Sequence, residues 1–150
     1  MKITLCGGGS WGTAIARLLS NKGHDVNFYI RNKSVIYDIK KNKENSKYLP
    51  GAKFENEINL TNNLLSVLKD IDIFVLAVPT TSSREILEEI KNYLGENVII
   101  VNLSKGFEVD TLKRISEISK EILPRNPFVA LSGPSHAEEV GKDIPTTVVA

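Results

Sequence analysis

One stretch limits the possible folds more than any other: Ile3-Thr4-Leu5-Cys6-Gly7-Gly8-Gly9-Ser10-Trp11-Gly12-Thr13-Ala14-Ile15-Ala16. An apolar run enters three consecutive glycines and leaves them on a helical pattern. Gly7, Gly9 and Gly12 fit G-x-G-x-x-G, the spacing of a strand-to-helix turn over a pyrophosphate. Gly7 allows the tight turn, Gly9 lets backbone approach the phosphates, and Gly12 lets the helix pack closely on the strand. The unpaired N–H groups of the helix start face the anion. Any tight turn can use glycine, so the motif gains its meaning from its setting, directly after an apolar strand. There it reads as nucleotide binding.

The rest of the chain repeats the strand–helix alternation. Lys2 to Cys6 reads as a buried strand and Ser10 to Asn21 as a helix, with Trp11, Ile15, Leu18 and Leu19 inward and Gly23 as its stop. Asp25 to Ile30 reads as a second strand, which completes a βαβ unit. Ser34 to Lys41 predicts a short helix, and the lysine- and asparagine-rich Lys40 to Lys47 a solvated loop. Tyr48 to Gly51 reads as a turn. Ile58 to Thr61 predicts a short strand, and Asn63 to Leu68 a short helix capped by Thr61 or Asn62.

Ile71 to Val78 is almost wholly apolar, as a strand covered on both faces is. Pro79 ends it. Ser82 to Glu85 has the form of a capping box, and Ile86, Leu87, Ile90 and Leu94 form an apolar stripe assigned to the core. Val98 to Leu103 is a further buried strand. Asp110 is expected to cap a helix running to Ile122, with Leu112, Ile115, Ile118 and Ile122 inward. Phe128 to Leu131 is another strand, and Thr146 to Val149 begins one more. This order predicts an α/β fold: a Rossmann-like doubly wound, mainly parallel sheet with helices on both faces, occupying residues 1–150 as one domain.

Composition narrows the function. The 150 residues are 41% hydrophobic and 25% charged, with a net charge of +1, so no basic footprint for nucleic acid appears. The single cysteine, Cys6, lies in an apolar run and reads as a small buried hydrophobe. No run is long and apolar enough for a membrane helix and no signal peptide is apparent, which makes a cytoplasmic protein the default. The two histidines and one cysteine have no metal-ligand spacing.

Ligands of such sheets bind beyond the carboxyl ends of the strands. Five polar groups fall there: Gly7–Gly12, Arg31, Pro79–Thr81, Ser104-Lys105-Gly106 and Gly133-Pro134-Ser135. An acidic residue at the end of the second strand would bond a ribose 2′-OH, but this sequence has Arg31, followed by Asn32 and Lys33. Arg31 suits the 2′-phosphate of NADP or the face of an adenine. Lys105 is placed to pair with a phosphate or polarise a substrate oxygen. Ser135 and Glu138 have capping-box spacing, which also makes an anion site of the helix start. His136, without an evident partner, reads as a surface or capping residue rather than a base, and His24 likewise.

These segments together resemble the bacterial NAD(P)-dependent glycerol-3-phosphate dehydrogenases. The resemblance rests on Gly7 to Ala14, Arg31, Tyr48-Leu49-Pro50, Val78-Pro79, Ser104 to Glu108, and Ser132 to Glu139. It implies reversible hydride transfer between NADP or NAD and sn-glycerol 3-phosphate, giving dihydroxyacetone phosphate and supplying glycerophospholipid synthesis. On this sequence it implies that Ser10, Trp11, Arg31, Tyr48, Lys105 and Ala137 contact the cofactor beside Gly7, Gly9 and Gly12. Lys105, Gly133 and Ser135 would contact substrate. The family is roughly twice as long, with a mostly helical C-terminal substrate domain. That domain is expected to hold the general-base lysine, so no catalytic residue is nominated here and the chain alone is expected to be inactive. A homodimer is left open for the full-length protein.

Two rival readings stand beside this one. A reductase of another small oxo-acid or imine on a related plan would show turnover confined to another compound, and the Ser132 to Ser135 segment argues against it. A non-catalytic NAD(P)-sensing module would have no need of Lys105 and the 132–139 segment near a nicotinamide. Sequence beyond residue 150 separates sensor from enzyme.

Overall fold

A computed structural model describes residues 1–150. Its strands are β1 (Lys2–Cys6), β2 (Asp25–Tyr29), β3 (Asn59–Thr61), β4 (Ile73–Leu76), β5 (Ile99–Asn102) and β6 (Phe128–Ala130). The helices are α1 (Ser10–Asn21), α2 (Lys33–Asn42), α3 (Thr80–Ile90), α4 (Ile115–Ile122) and α5 (Ala137–Gly141). The six strands form one sheet in the order β3-β2-β1-β4-β5-β6, every pair parallel. This is the Rossmann order, and the strand sequence reverses between β1 and β4.

Strand periodicity sorts the core onto the two faces. Ile3 and Leu5 of β1 and Val75 of β4 pack with Phe28, Val35 and Ile39 beneath α1 and α2. Cys6, Phe74, Leu76 and Ile100 pack on the other face with Leu87, Ile90 and Ile118 of α3 and α4. Burial pushes the Cys6 thiol up to about 12, with the Glu89 carboxylate adding to it, so this cysteine stays protonated and packs as a hydrophobe. Thr4, Asn27 and Asn59 carry polar groups across the sheet. Asn59 Nδ2 donates to Asn27 Oδ1 at 2.7 Å, and Asn27 Nδ2 to Thr4 Oγ1 at 3.3 Å. Thr4 Oγ1 donates to the Val67 carbonyl at 2.5 Å.

Helix α1 is tied at both ends. Gly23, with φ +81°, closes a Schellman turn in which the His24 and Gly23 N–H groups donate to the Leu19 and Ser20 carbonyls. Its most buried positions are Gly12, Thr13, Ala14, Ala16, Arg17 and Ser20, whereas the expected inward residues Trp11, Ile15, Leu18 and Leu19 are only half-buried. The reason is a second neighbour. Beyond the sheet, α1 packs against α5 and the 49–52 turn through a small cluster of Ala14, Leu49, Ala52, Ala137 and Val140. Arg17 sits buried under that layer. Its Nη1 and Nη2 donate to the Asp143 carboxylate at 2.9 and 2.8 Å, and its Nε to the Lys53 carbonyl at 2.7 Å.

Several local expectations need correction. Helix α4 starts at Ile115, not near Asp110, because Arg114 occupies its N-cap and Glu117 bonds back to the Arg114 N–H at 2.9 Å. Leu112 is therefore outside the helix, 76% exposed and at φ +55°. Neither expected capping box at Ser82 or Ser135 forms. Pro79 and His136 occupy those N-caps, so Ser82 falls inside α3 and Ser135 outside α5. Residues 65–67 make one 3-10 turn with no side-chain cap, and Thr61 Oγ1 accepts instead from the Asn63 N–H. Val149 forms an isolated antiparallel bridge with Ser132 rather than starting a parallel strand.

The glycine turn closes by contact of backbone on backbone. A Cβ on Gly12 would lie 1.9 Å from the Gly7 carbonyl oxygen, and one on Gly7, at φ +127°, would lie 2.1 Å from the Ala77 oxygen. Helix propensity alone makes Gly12→Ala stabilising by roughly 0.5–1 kcal/mol. The clash reverses the sign, and the expected loss is roughly 3 kcal/mol by urea denaturation.

Candidate functional site

The carboxyl ends of the strands open onto a trough with two lobes that share Ala77 and Val78. The distal lobe, about 520 Å³, is lined by Gly7, Gly8 and Gly9, by Tyr29 to Asn32 at the end of β2, by Tyr48, and by Pro79, Ser82, Glu85, Ile86 and Glu89. The proximal lobe, about 360 Å³, is lined by Ser10, Trp11, Leu103, Ser104, Lys105 and Ser135 to Glu138. The trough lies across the β1–β4 switch point, where open α/β sheets bind ligands.

Gly9 lies on its floor. It is the N-cap of α1, it offers no side-chain cap, and the first turn of the helix carries no acidic residue. A Cβ on Gly9 would meet nothing within 4 Å. Gly7 and Gly12 are glycines for the protein's own packing, but nothing in the chain requires one at Gly9. The open space above uncapped helix N–H groups suits a phosphate pressed against the backbone. The residues present therefore fit a dinucleotide.

The glycine loop is held from behind by a residue that sequence reading missed. Asn45 is fully buried, and its Nδ2 donates to the Gly8 carbonyl at 3.1 Å and to Thr13 Oγ1 at 2.8 Å. Its Oδ1 accepts from the Tyr48 N–H at 3.3 Å. The stretch assigned to a solvated loop thus folds back as a clamp, and it sets Tyr48 on the distal lobe. The lysines that surround Asn45 conceal it, since a charge run gives no sign of one inward amide. Ile86 is a second revision: it packs half-buried on the core and also lines the distal lobe.

Of the residues expected to bind ligand, the distal lobe gathers Gly7, Gly9, Arg31 and Tyr48. The proximal lobe gathers Ser10, Trp11, Lys105, Ser135 and Ala137. Gly12 and Gly133 line neither. Gly133, at φ +149°, shapes the turn before α5 and accepts the Ser135 N–H at 2.9 Å. Lys33 opens α2 outside the trough. His136 is the N-cap residue of α5, with its side chain exposed at the proximal lobe and making no cap bond. No group of three His, Cys, Asp or Glu side chains is placed to hold a metal ion.

The Lys105 loop is anchored at both ends. Ser104 Oγ donates to the Val78 carbonyl at 2.6 Å, and its N–H to Asn102 Oδ1 at 3.2 Å. Beyond Gly106, Arg84 of α3 grips Glu108 through Nε at 2.7 Å and Nη2 at 2.9 Å. Thr111 also donates to Glu108, and Glu121 bonds both Arg84 and Lys113. Lys105 itself makes no ion pair and is exposed at the lobe.

Hydrogen bonds from Arg84, and then Thr111, hold the Glu108 carboxyl down to about 2 from its ordinary 4.5. A carboxyl lowered in this way stabilises the fold above its unfolded value and loses that contribution as pH falls toward the folded one. The window for Glu108 runs from 4.5 down to about 2. Glu108→Gln is expected to lower stability at neutral pH and to flatten the acid limb across that window, as measured by chemical denaturation at a series of pH values.

Comparison with known proteins agrees with this geometry. The family model described as NAD-dependent glycerol-3-phosphate dehydrogenase N-terminus matches residues 2–150. The Glycerol-3-phosphate dehydrogenase [NAD(P)+] of Clostridium tetani is 48% identical over 147 residues, which cover 98% of this chain and 42% of the relative. That of Clostridium acetobutylicum is 46% identical, covering 98% and 44%. The chain thus spans less than half the length of these relatives. A solved glycerol-3-phosphate dehydrogenase from Coxiella burnetii superposes with a TM-score of 0.90 at 27% identity, over 98% of this chain and 45% of that one.

Proposed function

We propose that this chain, which belongs to the family described as NAD-dependent glycerol-3-phosphate dehydrogenase N-terminus, is the cofactor-binding domain of an enzyme interconverting sn-glycerol 3-phosphate and dihydroxyacetone phosphate. The observation that carries it is Gly9, an open floor under an uncapped helix start in a trough at the switch point. The cofactor is NAD or NADP, which when bound would supply the hydride acceptor or donor.

The chain's own residues divide the work between the lobes. In the distal lobe Arg31 and Tyr48 hold the adenosine end, and where the lobes meet the N–H groups at Ser10 and Trp11, which line the proximal one, hold the pyrophosphate. In the proximal lobe Lys105 supplies a positive charge beside the reacting carbons, where it favours negative charge developing on the substrate oxygen. Ser135 and the Gly133 turn shape the wall next to it. The general base and the remaining grip on the substrate phosphate belong to the helical domain of the full-length protein. No helix here is long and apolar enough to cross a membrane. A cytoplasmic enzyme feeding glycerophospholipid synthesis completes the proposal, with a homodimer as the assembly to examine by light scattering.

Titration with NADH or NADPH is expected to raise the thermal midpoint, and no rise with either in a folded sample would overturn the proposal. Gly9→Ala is expected to change stability by less than about 1 kcal/mol, since its Cβ meets no protein atom, while weakening dinucleotide binding at least tenfold. In the full-length protein Lys105→Met is expected to lower turnover of dihydroxyacetone phosphate by about a hundredfold or more. Near-normal turnover would remove Lys105 from the mechanism.

A further inference from the structure

The distal lobe carries opposed charges that the end of β2 does not reveal. Arg31 stands on the β2 side, while Glu85 and Glu89, one helical turn apart on α3, line the same lobe from the β4 side. All three side chains are exposed to it. Neither glutamate is engaged: the ion pairs of α3 belong to Arg84 with Glu108 and Glu121, and to Glu88 with Lys91. Arg31 makes no ion pair either. One phenol senses all of them. Tyr29, at the end of β2, is raised above its ordinary value by burial first, with Glu89 and Glu85 adding to it and Arg31 acting in the opposite direction.

Resting on the proposed cofactor role, we propose that Glu85 and Glu89 are specificity-determining residues that oppose a 2′-phosphorylated dinucleotide and offset the preference Arg31 would confer. An acid that bonds a ribose 2′-OH disfavours a phosphate there by charge alone. Here the acids arrive from a different strand's helix. NADP carries an additional, nearly dianionic group into the lobe, whereas NAD does not. The two carboxylates repel that group while Arg31 attracts it, so the lobe accepts either dinucleotide. Because the carboxylates are solvent-exposed, the repulsion acts through water and weakens as salt rises.

The test is the ratio of NADPH to NADH affinity in the full-length protein, measured by isothermal titration calorimetry. Glu85→Gln/Glu89→Gln is expected to move that ratio toward NADPH by about fivefold at low salt, and by less at 0.5 M salt. Arg31→Gln is expected to move it the other way. Glu88→Gln, whose carboxylate pairs with Lys91 outside the lobe, is expected to leave it in place. A wild-type protein that binds both dinucleotides, with a ratio unmoved in the double variant or moved equally by Glu88→Gln, overturns this proposal and leaves the cofactor role standing. A folded wild type that binds neither dinucleotide overturns both.

Discussion

Where β1 turns into α1, two positions leave no room for a side chain. Gly12 rests on the Gly7 carbonyl, and Gly7 in turn faces the Ala77 carbonyl after β4. These contacts lock a helix and two strands together at the point where strand order reverses. The same closeness turns the first N–H groups of α1 into the trough, with Gly9 leaving the space above them open. Close packing and the open floor of the trough thus share one turn but use different glycines.

The rest of the carboxyl edge is held by segments returning from far along the chain. Asn45 clamps the glycine loop from behind, and Leu49 wedges under α1 and α5. Arg17 ties α1 to Asp143 beyond α5, and Arg84 ties α3 to the loop that presents Lys105. Each cross-link joins elements distant in sequence, so the trough keeps its shape only when the whole domain is folded. The charges within it are left unpaired by comparison. Arg31, Lys105, Glu85 and Glu89 project into solvent there, while neighbouring charges on the same elements are consumed in ion pairs.

How legible the fold was depended on how local each signal is. β1 and α1 were readable to the residue, because an apolar run, a glycine turn and a Gly23 stop are all contiguous. The start of α4 was not. Leu112 continues the apolar spacing of the helix, but the Arg84–Glu108 grip and the bridge between Phe107 and Arg114 hold the chain in a turn until Ile115. Ser82 and Ser135 have the spacing of caps, yet Ser82 falls inside the first turn of α3 and Ser135 just before the N-cap of α5, since Pro79 and His136 occupy the positions where those helices begin. Lys40 to Lys47 looked solvated because one inward Asn45 among lysines leaves no periodic trace.

By itself the sequence determined the sheet class, the glycine turn and most of the strand-end residues that line the trough, because alternation of apolar strands with helices and a close-packed turn are written in adjacent residues. Only the tertiary structure decided which glycines serve packing and which leaves the trough floor open, since that depends on what a Cβ would meet across the fold. It also decided that Asn45 supports the loop, and that acids of α3 share a lobe with Arg31. Those neighbours come from the strand order β2-β1-β4, which sets the ends of separate strands side by side. No local pattern records that adjacency.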